Sequence, residues 1–89
     1  MISCKLLIIN ELGLHARAAT KLASLAGRYE SSIKTGIKPP LVDVKSIMSL
    51  LLLAASQGTE LTFEFDGSDE DEACSMITRL LADYFGEGK

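Results

Sequence analysis

From Thr59 to Asp66 the chain alternates with a period of two. Leu61, Phe63 and Phe65 fall on one side, Thr62 and Glu64 on the other. A strand with this pattern buries one face and leaves the other to solvent. The remaining residues therefore have to form a sheet and a cover for one of its faces. Ile2 to Ile9 reads as a second strand, rich in β-branched and aliphatic residues. Ile2, Cys4, Leu6 and Ile8 share one face, while Leu7 and Ile9 lie on the other, so part of that second face is expected to be covered or to form a contact surface. Ser31 to Thr35 and Leu41 to Val44 are two short strands joined by the turn Gly36-Ile37-Lys38-Pro39-Pro40, whose prolines belong outside a ladder.

Helical periodicity supplies the cover. Ala19, Leu22, Ala23 and Ala26 recur on one face of a helix predicted over Ala16 to Ala26, with Gly27 as its stop. Ser46 is a favoured N-cap for a second helix from Ile47 to about Ser56. Asn10 and Gly13 mark a loop before the first helix, and Gln57-Gly58 ends the second. Ser68 or Asp69 is expected to cap a third helix. Glu70, Asp71 and Glu72 fill its first turn, where the dipole favours acids, so they read as a helix start and not as a metal site. Ala73, Ile77, Leu80, Leu81 and Tyr84 are its predicted buried stripe; Gly86 closes it, and Glu87 to Lys89 reads as a loose tail. The order is strand, helix, strand, strand, helix, strand, helix. That predicts an α+β fold: a four-stranded, mainly antiparallel sheet with three helices layered on one face. With 89 residues, one domain spanning 1–89 is expected.

Composition excludes several functions. The net charge is −3 and the nine basic residues are scattered, which argues against nucleic-acid binding. The longest apolar stretch, Ile47 to Ala55, is interrupted by Ser49 and is too short to span a bilayer, so no membrane insertion is expected. No signal-peptide pattern opens the chain. Cys4 and Cys74 match no zinc or redox spacing and fit free thiols in a reducing cytoplasm. No metal set or cofactor motif is present, and none is expected.

The only histidine, His15, lies where a strand-like run gives way to the first helix, and Arg17 follows two positions later. A helix start offers unpaired N–H groups and partial positive charge, here from Ala16 and Arg17, and so suits a phosphate. Imidazole is a nucleophile that can form a covalent intermediate, and the arginine fork matches phosphate oxygens. His15 is thus the candidate carrier of a phosphoryl group, with Arg17 stabilising its charge. Without that chemistry, His15 would be a surface histidine capping a helix and Arg17 a solvated cation. The second helix is apolar nearly all round, more than one core stripe requires. Ile47 and Leu51, at i and i+4, predict its core side. Met48 is the better partner contact because methionine adapts to several surfaces. Ile47, Leu51, Thr20 and Lys21 are candidates to extend that surface. Lys45 reads as a solvated charge.

Gly13-Leu14-His15-Ala16-Arg17 resembles the active-site motif of HPr, the histidine-containing phosphocarrier of the sugar phosphotransferase system. Val44-Lys45-Ser46-Ile47-Met48 resembles the regulatory-serine segment of the same family, at a matching separation. Gln57-Gly58-Thr59 and Gly67-Ser68-Asp69-Glu70 also fall where the family carries similar stretches. The resemblance implies an open-faced β-sandwich with strand order 1-4-2-3. It also implies phosphorylation of His15 on Nδ1 by phospho-enzyme I, transfer to enzyme IIA domains, and a cytoplasmic monomer. The carrier would not be an independent enzyme, because no second acid or base is implied near His15. Ser46 would be the target of an HPr kinase/phosphorylase, in addition to being an N-cap. Ala18 stands where the family usually has proline; alanine restores a donor and keeps helix propensity, so a functional but less rigid helix start is expected. Two alternatives stay open: a nitrogen-branch, NPr-like phosphocarrier, and a binding module of this fold that acts by contact alone.

Overall fold

The computed structural model describes residues 1–89. Its elements run in the order β1 (Ile2–Leu7), α1 (Ala16–Ala26), β2 (Ser32–Gly36), β3 (Val42–Asp43), α2 (Ile47–Leu53), β4 (Glu60–Asp66) and α3 (Glu70–Ala82), followed by a 3₁₀ turn, Tyr84–Gly86. The four strands form one antiparallel sheet in the order β1-β4-β2-β3. Placing β4 between β1 and β2 explains its clean alternation: both edges are paired and one face is covered. Leu61, Phe63 and Phe65 are fully buried, and the two phenylalanine rings stack. On β1, Ile2, Cys4 and Leu6 face the helices, while Leu7 is exposed and Ile8, just beyond the strand, is fully buried.

The α1 bounds agree with those read from the sequence. Ala18 joins Ala19, Leu22, Ala23 and Ala26 in the core and is fully buried. Its methyl group thus packs into the core at the helix start. The second helix is shorter than expected. It stops at Leu53 because Ala54 takes a left-handed conformation (φ 51°) and donates its N–H to the Leu51 carbonyl. In these two turns only Leu50 is fully buried; Ile47 is 41% and Leu51 37% exposed. The expected core role of Ile47 and Leu51 is therefore corrected: Leu50 anchors the helix, while Ile47, Met48, Leu51 and Leu52 form an exposed apolar face.

The C-terminus brings two further corrections. Tyr84 is exposed, and the buried aromatic is Phe85. Both residues have positive φ (57° and 53°), so the chain leaves the helical path after α3 and swings the next side chain inward. The last residues are not a loose tail, because the Glu87 side chain is only 8% exposed. At the other end of α3, Asp69 takes the N-cap position without capping. Its carboxylate instead accepts from the Glu30 and Ser31 N–H groups (2.9 and 3.0 Å) and from the Ser31 hydroxyl, pinning the helix start to the β2 approach.

Candidate functional site

A short loop carries the chain from β1 to α1. Gly13 has φ +67°, a left-handed conformation that suits glycine. A Cβ there would lie 2.6 Å from the Ala55 carbonyl oxygen and 2.9 Å from Ser56 Cα. The next residue, Leu14, is buried and donates its N–H to that same Ala55 carbonyl at 2.8 Å. The loop is thereby locked to the end of α2, so the two segments singled out in the sequence share one rigid support.

His15 is the N-cap of α1, with extended backbone (φ −82°, ψ −178°). Its carbonyl takes the first helical hydrogen bond from the Ala19 N–H at 2.8 Å. Its Nδ1 accepts from the Arg17 N–H at 3.3 Å, and its Nε2 bonds to Glu87 Oε2. These partners define the tautomer. A backbone N–H can only donate, and an ionised carboxylate can only accept. The proton therefore sits on Nε2, and the lone pair on Nδ1. Glu87 comes from 72 residues away in the chain. Burial pushes its carboxyl up, but hydrogen bonds from Asn10 and His15 and the charges of His15 and Arg17 outweigh this, so its pKa is lowered. The expectation that no second acid lies near His15 is thus corrected. The signal was present in the sequence as an acid between Gly86 and Gly88, both at positive φ, but nothing local linked it to residue 15.

Arg17 is exposed, one residue into the first turn. With Glu11, Leu12, Lys21, Gly86, Glu87 and Lys89 it lines a cleft of about 490 Å³. The helix start leaves the Ala16 N–H without an intrahelical acceptor, whereas the Arg17 N–H, expected from the sequence to be open to a phosphate, is taken by His15 Nδ1. Thr20 is exposed, but its hydroxyl is engaged with the Ala16 carbonyl at 2.8 Å. Lys21 donates to the Phe85 carbonyl at 2.7 Å and so ties α1 to the segment that carries Glu87. On α2, Ser46 caps the helix as expected, its Oγ accepting from the Ser49 N–H at 3.2 Å. Met48 is 68% and Leu52 79% exposed; the sequence reading singled out the first and not the second. Lys45, expected to be a free charge, donates to the Tyr29 carbonyl at 2.8 Å. No helix is long and apolar enough to cross a membrane.

An open-faced sandwich that presents one histidine as the N-cap of a helix, its Nδ1 facing the Arg17 N–H and its Nε2 held by Glu87, has the fold of the small histidine phosphocarriers. Residues 2–83 match the family model described as the PTS HPr component phosphorylation site. The chain is 50% identical to phosphocarrier protein HPr of Cupriavidus necator over 92% of each chain. It is 44% identical to that of Pseudomonas aeruginosa over the whole of both. The crystal structure of HPr-C-His from Thermoanaerobacter tengcongensis superposes with a TM-score of 0.93, at 34% identity over 98% of each chain. The chain belongs to the HPr family.

Proposed function

We propose that His15 accepts a phosphoryl group on Nδ1 from phospho-enzyme I and passes it to enzyme IIA domains. The observation that carries this reading is the fixed tautomer: the Nδ1 lone pair lies at a helix start while Glu87 holds the Nε2 proton. In the forward step the Nδ1 lone pair attacks phosphorus, and the bond from phosphorus to the donor nitrogen breaks with its electron pair returning to the donor. The imidazole ring gains positive charge as the new P–N bond forms. The Glu87 carboxylate offsets that charge through the Nε2–H, so no proton has to leave. The helix dipole and the unpaired Ala16 N–H favour the incoming anion, and the Arg17 N–H, released from Nδ1 as the P–N bond forms, turns to a phosphoryl oxygen. The Arg17 guanidinium reaches the phosphoryl oxygens as charge shifts between donor and acceptor.

The exposed face of Ile47, Met48 and Leu51, with Thr20 on the histidine helix, serves as the partner-docking surface. Both enzyme I and enzyme IIA have to reach one small site, and a shallow, exposed histidine allows this. Ser46 is the regulatory position: phosphorylation by an HPr kinase would add about −1.5 to −2 charge at a helix start beside the apolar face. The carrier works in the cytoplasm as a single copy. The test is incubation with enzyme I and phosphoenolpyruvate, followed by intact-mass measurement. One acid-labile phosphate, lost in His15→Ala, is the expected result. No transfer would leave a contact-only binding module. Transfer only to a nitrogen-branch acceptor would make the chain an NPr-like carrier.

A further inference from the structure

Asn10 is fully buried, an unusual place for a primary amide in a small core. Read locally it is a turn residue, yet its side chain makes no ordinary Asx-turn bond to a following N–H. Its Nδ2 donates instead to the Gly13 carbonyl at 2.8 Å and to Glu87 Oε1 at 2.9 Å. Its Oδ1 has no partner at all. A buried oxygen left unpaired is costly, so the orientation of this amide is held by its two donations. Both donations point at the site. One closes the loop that ends at His15; the other grips the carboxylate whose second oxygen holds His15 Nε2.

Resting on the phosphocarrier reading above, we propose that Asn10 is a positioning residue for phosphoryl transfer: it aims Glu87 so that the His15 proton stays on Nε2 and the lone pair stays on Nδ1. Glu87 by itself is poorly placed to do this. It lies between Gly86 and Gly88, both at positive φ. The Lys21 bond to the Phe85 carbonyl fixes the backbone before it, and apart from His15 itself only Asn10 holds the carboxylate against rotation. The other charged groups around the cleft are Arg17, Lys21, Glu11 and Lys89, and the last two pair with each other at 4.0 Å. None of them bonds to the Glu87 carboxylate, so Asn10 and His15 are its hydrogen-bond partners.

The test uses Asn10→Leu, which removes both donations and the unpaired oxygen while substituting an apolar side chain of the same branched shape, alongside Glu87→Ala. In the wild type, ¹⁵N chemical shifts of the neutral His15 ring should report Nε2–H as the dominant form. Asn10→Leu should give a mixed population and slow phosphorylation by enzyme I about tenfold, the lower range for losing an outer partner that orients a site group. Glu87→Ala should give the same mixture, and the double variant should add little to either single change. A folded Asn10→Leu protein with the wild-type tautomer and rate would overturn the proposal. If that variant does not fold, the wild-type amide supplies the answer. The Asn10 Nδ2 protons should exchange slowly and shift as the Glu87 carboxyl titrates; fast exchange with no shift would equally overturn it. The tautomer is measured without any phosphoryl donor. Failure of the carrier reading (no phosphate on His15) is therefore distinguishable from failure of the Asn10 proposal.

Discussion

Substituting Gly13 by alanine tests whether the histidine loop is locked to α2. Gly13 has φ +67°, where an L-residue with a Cβ carries a conformational cost of about 1–2 kcal/mol. The added Cβ would also lie 2.6 Å from the Ala55 carbonyl oxygen and 2.9 Å from Ser56 Cα, both backbone atoms that cannot rotate aside. The loop and the α2 end have to part, which strains or breaks the buried Leu14 to Ala55 hydrogen bond. Leaving such groups unpaired costs about 1–3 kcal/mol. Gly13→Ala should therefore destabilise the fold by about 2–5 kcal/mol, a Tm loss of about 10–40 °C in a domain of this size. Gly58→Ala is the control, because Gly58 also has positive φ (+90°) but a Cβ there meets nothing within 4 Å. Urea unfolding of both variants separates conformational strain from backbone collision. If Gly13→Ala falls within about 0.5 kcal/mol of Gly58→Ala, the loop is not locked to Ala55 and the shared support for the two segments is refuted.

Arg17→Ala should slow phosphoryl transfer on the order of ten- to hundredfold in both directions with unchanged unfolding, since the side chain is exposed; stopped-flow or quench-flow transfer rates check it. Ser46→Ala removes the Oγ that accepts from Ser49 and should cost about 1 kcal/mol of stability in denaturant unfolding, while abolishing any kinase-dependent phosphate on intact-mass measurement. The Ser31 hydroxyl, with the N–H groups of Glu30 and Ser31, holds the Asp69 carboxyl below its ordinary value of 3.8. A folded-state pKa below the unfolded one means that this contribution is complete well above pH 3.8 and is lost as pH falls below it. Asp69→Asn should therefore flatten the acid limb of a stability-against-pH curve measured by unfolding at a series of pH values.

Features carried by local periodicity were legible in the sequence. The alanine-lined α1, the alternating β4, the hairpin of β2 and β3 and the Ser46 cap all follow from spacing and residue type. His15 and Arg17 stood out because their chemistry and their place at a helix start coincide. What escaped reading was long-range or conformational. The Glu87 contact to His15 joins opposite ends of the chain, and no local pattern encodes it. Asn10 looked like a turn residue because only the folded tail gives its amide a purpose. Phe85 replaced Tyr84 in the core because two positive φ angles redirect the chain, which helical counting cannot anticipate. Ile47 and Leu51 were assigned inward because they share a face at i and i+4, but in a helix of two turns Leu50 alone suffices to anchor it.

The proposed function makes Nδ1 of His15 the nucleophile in phosphoryl transfer. The most direct measurement is ¹⁵N and ³¹P NMR of ring-labelled protein phosphorylated by enzyme I and phosphoenolpyruvate. The expected result is one phosphorus coupled to Nδ1 of His15, with Nε2 still protonated. Phosphate on Nε2, or on any residue other than His15, would contradict it.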